Sequence, residues 1–181
     1  IIRLKGIEEM TEVYYNSGQF SHTMKALEEE FSNAFAMYEA LADFYEAHGY
    51  FSVSHARISR YEILREFLRE KEIRDLEFYD ELMIFDLYAR ENMKTRPSWA
   101  RDLKPYKKQI QNFYAKQAEE PDILKNYAGY QAKQTEKMTH LEVFTYKVSE
   151  GKKEKGIYSI VFDYKKRDSL TYDAAMYEIV L

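Results

Sequence analysis

The residues with chemical potential in this chain are few. Asp86 sits in the middle of Leu82-Met83-Ile84-Phe85-Asp86-Leu87-Tyr88-Ala89-Arg90-Glu91-Asn92-Met93, a stretch that is nearly apolar all round. A carboxylate in such company must be paired or lose its charge. Arg90 lies four residues on, on the same helical face and in the favourable order, so Asp86 and Arg90 are read as a structural ion pair. Arg57 and Arg60 on a preceding helix are the other basic candidates. A tuned acid in a pocket is the functional alternative. His140 and Glu142 stand two apart in a strand-like stretch, which places them on one face with the right types for a metal. Two ligands are not a site, and His22 or His55 would have to join them. The plain alternative is a partly buried histidine hydrogen-bonded to a carboxylate. Asn16-Ser17-Gly18-Gln19 has the small polar residues of a ligand loop, but it lacks the glycine density of a phosphate cradle. No G-x-S-x-G or other nucleophile motif occurs. No set of residues completes a catalytic motif, and no catalytic, cofactor-binding or metal-ligating residue is assigned.

Composition narrows the classes further. The 181 residues suffice for one domain, with or without a small appendage. With 17 Tyr and 11 Phe the chain can bury a real core. There is no cysteine, which removes disulfides, catalytic thiols and thiolate-held zinc or iron–sulfur clusters within it. That fits a reducing cytoplasm, the expected location. No apolar run approaches a membrane span and no signal peptide is visible, so no membrane partner is expected. The first 96 residues hold 12 Lys+Arg against 19 Asp+Glu, a net of −7, whereas residues 97–139 hold 8 against 5, a net of +3. An acidic first half argues against a general nucleic-acid binder but leaves room for a local basic face.

The elements that must position these residues follow from periodicity. Lys5 to Asn16 reads as a helix stopped at Asn16-Ser17-Gly18, with Ser21 as the next cap. Met24, Leu27, Phe31, Ala34, Tyr38, Leu41 and Tyr45 form a helical seam that Ser32-Asn33 can break, and Gly49 ends it. Ser52 or Ser54 is expected to cap a third helix reaching about Lys71. The central helix is expected from about Asp75 to Lys94, short of Pro97. Pro105 opens a helix to about Glu119 with Lys104, Lys107, Lys108 and Lys116 outside. A short helix is expected after Pro121-Asp122, and Gln131 to Thr139 is ambiguous. At His140 the period changes from helical to two. Strands are expected from His140 to Val148, from Ile157 to Tyr164 and from Ala174 to Val180, with a charged turn at Lys152–Gly156. The fold class is therefore mainly α: a helical, bundle-like body (1–139) followed by a small antiparallel β-sheet (140–181) packed on it, an α+β domain.

Two stretches together carry a family resemblance. They are Glu12-Val13-Tyr14-Tyr15-Asn16-Ser17-Gly18-Gln19-Phe20 and Phe85-Asp86-Leu87-Tyr88-Ala89-Arg90-Glu91-Asn92, the latter running on to Arg96-Pro97. Thr139-His140-Leu141-Glu142-Val143-Phe144 and Phe162-Asp163-Tyr164 agree with them. The chain resembles the C-terminal domain of unknown function that follows the barrel of bacterial radical SAM proteins with a cobalamin-binding domain. The resemblance implies an accessory domain of an Fe–S oxidoreductase. It places the 4Fe-4S cluster, S-adenosylmethionine and cobalamin in upstream domains, and none of them in this chain. The three-cysteine cluster motif of that family has no matching position here. The start at Ile1-Ile2-Arg3, without an initiator Met, fits a piece of such a longer protein.

Two functions follow. The first is a non-catalytic interaction domain that packs on its own upstream barrel and helps enclose substrate, through the acidic first half with Tyr15 and Tyr50; Tyr130 is a further loop tyrosine. The second is a nucleic-acid-binding module using the face around Lys104–Lys116 with the basic turns Lys152–Lys155 and Lys165–Arg167. Salt-dependent binding to RNA or DNA distinguishes them.

Overall fold

The computed structural model describes residues 2–181, which form helices followed by a three-stranded antiparallel sheet. The elements are α1 (Ile2–Thr11), α2 (Ser21–Glu28), α3 (Ala34–Ala47), α4 (Arg57–Glu70), α5 (Leu76–Arg90), α6 (Lys107–Glu119), α7 (Ala132–Met138), β1 (Thr139–Lys147), β2 (Lys152–Arg167) and β3 (Ala174–Ile179). They divide into two compact units, Ile1–Asp86 and Leu87–Leu181. This boundary falls inside α5, not at the change of period near residue 140. The reason is that α6 and α7 belong with the sheet. Tyr114 of α6 joins Leu124, Tyr127, Leu141, Val143, Val161 and Ile179 in one buried cluster on a single face of the strands.

In the first unit α1 runs into a π-turn at Glu12–Asn16. Gly18, at φ 68°, then takes the left-handed conformation that reverses the chain. The break in the long seam is real, and Asn33 caps α3 by accepting from the Ala36 amide at 2.8 Å. Two expected caps are not used. Ser21 Oγ donates back to the Gly18 carbonyl at 3.0 Å, because another group already occupies the start of α2. α4 begins after Ala56 with no side-chain cap, so neither Ser52 nor Ser54 serves it.

Apolar residues circle α5, and Phe78, Tyr79, Leu82, Met83, Ile84, Phe85, Leu87, Tyr88 and Ala89 are all buried. It ends at Arg90, earlier than Pro97 requires. The terminal carbonyls find side-chain donors instead: Tyr164 Oη donates to the Tyr88 carbonyl at 2.6 Å and Arg167 Nη1 to that of Arg90 at 2.8 Å. Pro105 opens only a 3₁₀ turn ahead of α6, Lys125–Tyr127 form another, and the polar Gln131–Thr139 stretch is helical, opened by a Gln131/Gln134 capping box.

The strand order is β1-β2-β3, with His140 opposite Phe162 and Phe162 opposite Met176. The hairpin turn lies earlier than its lysines suggest. Val148–Glu150 and Gly151, at φ 64°, make it, and Lys152–Gly156 belong to β2. Lys147 and Lys152 then close on Glu150 at 3.3 and 2.9 Å, one from each side of the turn.

Candidate functional site

The acids and histidines expected to carry chemistry fall into two places, one in each unit. Asp86, on α5, is almost wholly buried and does not take Arg90 as its partner. Its Oδ2 accepts from the Thr23 amide at 2.9 Å and the Thr23 hydroxyl at 2.7 Å, and its Oδ1 accepts from the His22 amide at 3.2 Å. His22 Nδ1 lies 2.8 Å from the same Oδ1. Asp86 therefore caps α2 from a distant point in sequence, binding amides that no intrahelical carbonyl can reach. Arg90 pairs with Asp173 at 3.0 Å. Arg57 and Arg60 also have other work. Arg57 Nε donates to the Gln19 side chain, and Arg60 Nη1 donates to Tyr45 Oη at 2.9 Å.

The Arg60 contact belongs to a closed ring of donors. Tyr14 Oη donates to the Arg60 carbonyl at 3.0 Å, leaving its oxygen to accept from Tyr45 Oη at 2.5 Å. Burial foremost, with the neighbouring Tyr45, pushes the Tyr14 phenol well above its usual range. Beside it, the Gln19 carbonyl accepts from Tyr61 Oη at 2.7 Å, and the Phe20 ring lies between those of Tyr14 and Tyr61, at 4.7 and 4.3 Å. Thus Glu12 to Phe20 is a knot held by α3 and α4. It is not a phosphate loop. One side of the knot borders a cavity of about 810 Å³, lined by Tyr14, Tyr15, Asn16, Met24, Lys25 and Tyr38 among others. Tyr15 is 67% exposed there, and Phe35, next to the lining residue Ala34, is 57% exposed. Tyr50 is not free for such a surface. Its hydroxyl donates to Glu66 at 2.6 Å, a bond that with burial pushes its pKa up to about 12.

In the second unit His140 and Glu142 do meet, on β1, with Arg96 as the third member. Arg96 holds Glu142 with two bonds, Nη1 to Oε1 at 2.5 Å and Nη2 to Oε2 at 2.7 Å. The same guanidinium donates to the Arg101 carbonyl at 2.8 Å and lies 5.8 Å from the Tyr88 ring centre. His140 Nε2 is 2.8 Å from Glu142 Oε1, and its ring is stacked on Tyr88 at 3.6 Å, nearly parallel. Burial opposes charge on Glu142, but the bonds from His140 and Arg96 outweigh it and hold the carboxyl below the ordinary range. Burial also lowers the pKa of His140, against the pull of Glu142, so its imidazole is neutral near pH 7. An ionised carboxylate only accepts, so His140 carries its proton on Nε2 and presents Nδ1 as a bare acceptor. A guanidinium already covers both oxygens of Glu142, where a metal would bind. The remaining histidines are elsewhere: His22 is on Asp86, His48 Nε2 is 3.1 Å from Glu70, and His55 Nε2 is 2.8 Å from the Tyr50 carbonyl. Among the described residues no three metal-ligating side chains gather.

The sequence model of a family described as "Protein of unknown function (DUF4080)" matches residues 1–162. The chain belongs to this family. No curated protein and no solved structure matches it. In the DUF4080 chain sequence reasoning missed two anchors, Arg96 and the buried Asp163. Arg96 was visible only as the residue before Pro97. Asp163, on β2, accepts from Tyr127 Oη at 2.6 Å and from the Lys165 amide at 3.0 Å. Lys165 Nζ in turn reaches Tyr130 Oη at 2.9 Å, so Tyr130 is bound internally. The signal for Asp163 is a charge set between Phe162 and Tyr164, whereas Arg96 stands in a polar stretch with no such signal. Among the described residues no helix is long and apolar enough to cross a membrane.

Proposed function

We propose that this DUF4080 chain is a non-catalytic accessory domain of a radical SAM Fe–S oxidoreductase, docking on its own upstream barrel and helping to enclose the substrate. One observation carries the reading. The buried acids of the stretches that resemble that group of enzymes are all used to hold the fold: Asp86 on α2, Glu142 on Arg96 and His140, and Asp163 on Tyr127. A buried carboxylate held by internal donors is poorly placed to exchange a proton with a substrate. The chain then contributes surface. The face beside the π-turn is the one this reading selects, because Tyr15 and Phe35 leave large aromatic area exposed next to a cavity, and such rings anchor interfaces. Intrachain interfaces of this kind bury about 600–1,500 Å².

The test is made in the full-length protein. Its upstream sequence should hold a three-cysteine cluster motif, and the purified protein should bind iron and sulfide. Tyr15→Ser with Phe35→Ser should leave thermal stability nearly unchanged, since both residues are exposed, while making the junction with the barrel more open to limited proteolysis. An upstream sequence without that motif, or a junction equally protected in the variant, would sink the reading.

A further inference from the structure

The cavity beside the π-turn is built by three segments, all within the first unit. Tyr14 and Tyr15 reach it from the π-turn, Met24 and Glu28 from successive turns of α2, and Ala34 and Tyr38 from successive turns of α3. Residues four apart on a helix share a face, so one face of α2 and one of α3 close on it. At about 810 Å³ it lies within the range of small-molecule pockets. Tyr14 and Met24 are buried in its wall. The Tyr14 hydroxyl is spent on Tyr45 and Arg60, so Tyr14 lends the cavity ring surface alone. Lys25 and Glu28 line it as exposed residues whose opposite charges cancel.

One buried polar group of this wall is unspent. Tyrosine hydroxyls in a protein interior ordinarily find a partner. The other buried tyrosines of the first unit all do: Tyr14 on the Arg60 carbonyl, Tyr45 on Tyr14, Tyr61 on the Gln19 carbonyl and Tyr79 on Glu30. Tyr38 is 7% exposed, yet its hydroxyl bonds to nothing among the described residues. That hydroxyl feels Glu28 and Tyr15, both cavity-lining residues, which sets it toward the cavity. Burial foremost, then these two neighbours, push its pKa up to about 12, so it keeps its proton at neutral pH and is a donor without an acceptor. A hydroxyl in a cavity wall takes its acceptor from what fills the cavity. Glu28 beside it disfavours an anion there, and the buried Tyr14 and Met24 disfavour any desolvated charge. We propose that this cavity binds a neutral ligand with an aromatic ring and a carbonyl or ring-nitrogen acceptor, the ring against Tyr14 and Met24 and the acceptor on the Tyr38 hydroxyl. The site goes beyond the docking role, and it stands or fails in this chain without an upstream domain.

The experiment titrates the chain with acetophenone, with ethylbenzene, which has the ring but no acceptor, and with the anion benzoate. Binding is followed by calorimetry and by the methyl resonances of Met24 and of Met83, which is buried on α5 outside the cavity wall. Acetophenone should bind one-to-one and saturably, moving the Met24 methyl and not that of Met83. Benzoate should not saturate. Tyr38→Phe keeps the ring and removes the hydroxyl. It should weaken acetophenone about two- to tenfold, the worth of one hydrogen bond, and leave ethylbenzene unweakened. Because that hydroxyl has no partner in the protein, Tyr38→Phe should melt no lower than the wild type. Four results would each overturn the proposal: no saturable binding of acetophenone at millimolar concentration, binding that leaves the Met24 methyl unmoved, benzoate bound as tightly as acetophenone, or equal effects of Tyr38→Phe on acetophenone and ethylbenzene. A variant that melts lower would also overturn it, since the hydroxyl would then have its partner within the fold.

Discussion

Removing the carboxylate of Glu142 isolates the chief electrostatic anchor of the second unit. Its side chain is 1% exposed, it receives three hydrogen bonds, and Arg96 opposite is 27% exposed. Breaking a buried pair by deleting one member costs about 3–5 kcal/mol, because the other charge is left behind. Arg96 keeps its bonds to the Arg101 carbonyl and some water, so Glu142→Ala should sit at the lower end, about 3 kcal/mol, with Glu142→Gln at about 2 kcal/mol. The same site should set a pH dependence. His140 has a lowered pKa when folded, so the unfolded chain binds its proton first; its contribution is present above the unfolded value, near 6.5, and declines as pH falls below it. Glu142 is also lowered, so its contribution is present above about 4.5 and declines below that, through its folded pKa. Both losses lie on the acid side. Urea melts of wild type, E142A, E142Q and His140→Gln at pH 7.5, 6.0 and 4.5 test this. H140Q should flatten the drop between 7.5 and 6.0. A Glu142→Ala cost within the ordinary surface scatter of about 0.5 kcal/mol would refute the reasoning, as would a midpoint that rises on acidification.

Other perturbations read the remaining anchors. Asp86→Ala should cost about 2–4 kcal/mol, combining a lost helix cap with a stranded Thr23 hydroxyl, and Arg90→Ala should leave that cost unaltered in the double variant. Gly18→Ala should cost about 1–2 kcal/mol for a left-handed residue with a Cβ, visible as a lowered denaturation midpoint. Tyr45→Phe should cost about 1–3 kcal/mol, since the Arg60 donor and the Tyr14 oxygen both lose a partner, and the exchange-protected Tyr45 hydroxyl should disappear from proton spectra while that of Tyr14, donated to the Arg60 carbonyl, remains.

Period and punctuation made much of the fold legible. The change from 3.6 to 2 at residue 140 marks the sheet, Asn33 marks the start of α3, and the all-round apolar pattern of α5 marks its burial. What could not be read was partnership at long range. Asp86 and Arg90 have ideal local spacing, yet each is taken by a residue far away in sequence, His22 and Thr23 for one and Asp173 for the other. Local spacing offers a few tenths of a kcal/mol on an exposed helix, and a buried carboxylate gains more from helix amides. The same holds for caps: Ser21 loses its place to Asp86, and the end of α5 is set by Tyr164 and Arg167 from β2. At the second site, His140 and Glu142 were legible as neighbours from strand alternation. Arg96, from an irregular segment, had no periodicity to point to it.

Hydrogen exchange compared between this chain and the full-length protein tests the accessory role most directly. Docking on the upstream barrel predicts slower exchange in the full-length protein at the π-turn, residues 12–16, and at the start of α3, residues 34–38, with the Glu142 cluster exchanging alike in both. Identical exchange throughout, together with full activity of a parent protein lacking this domain, would contradict it.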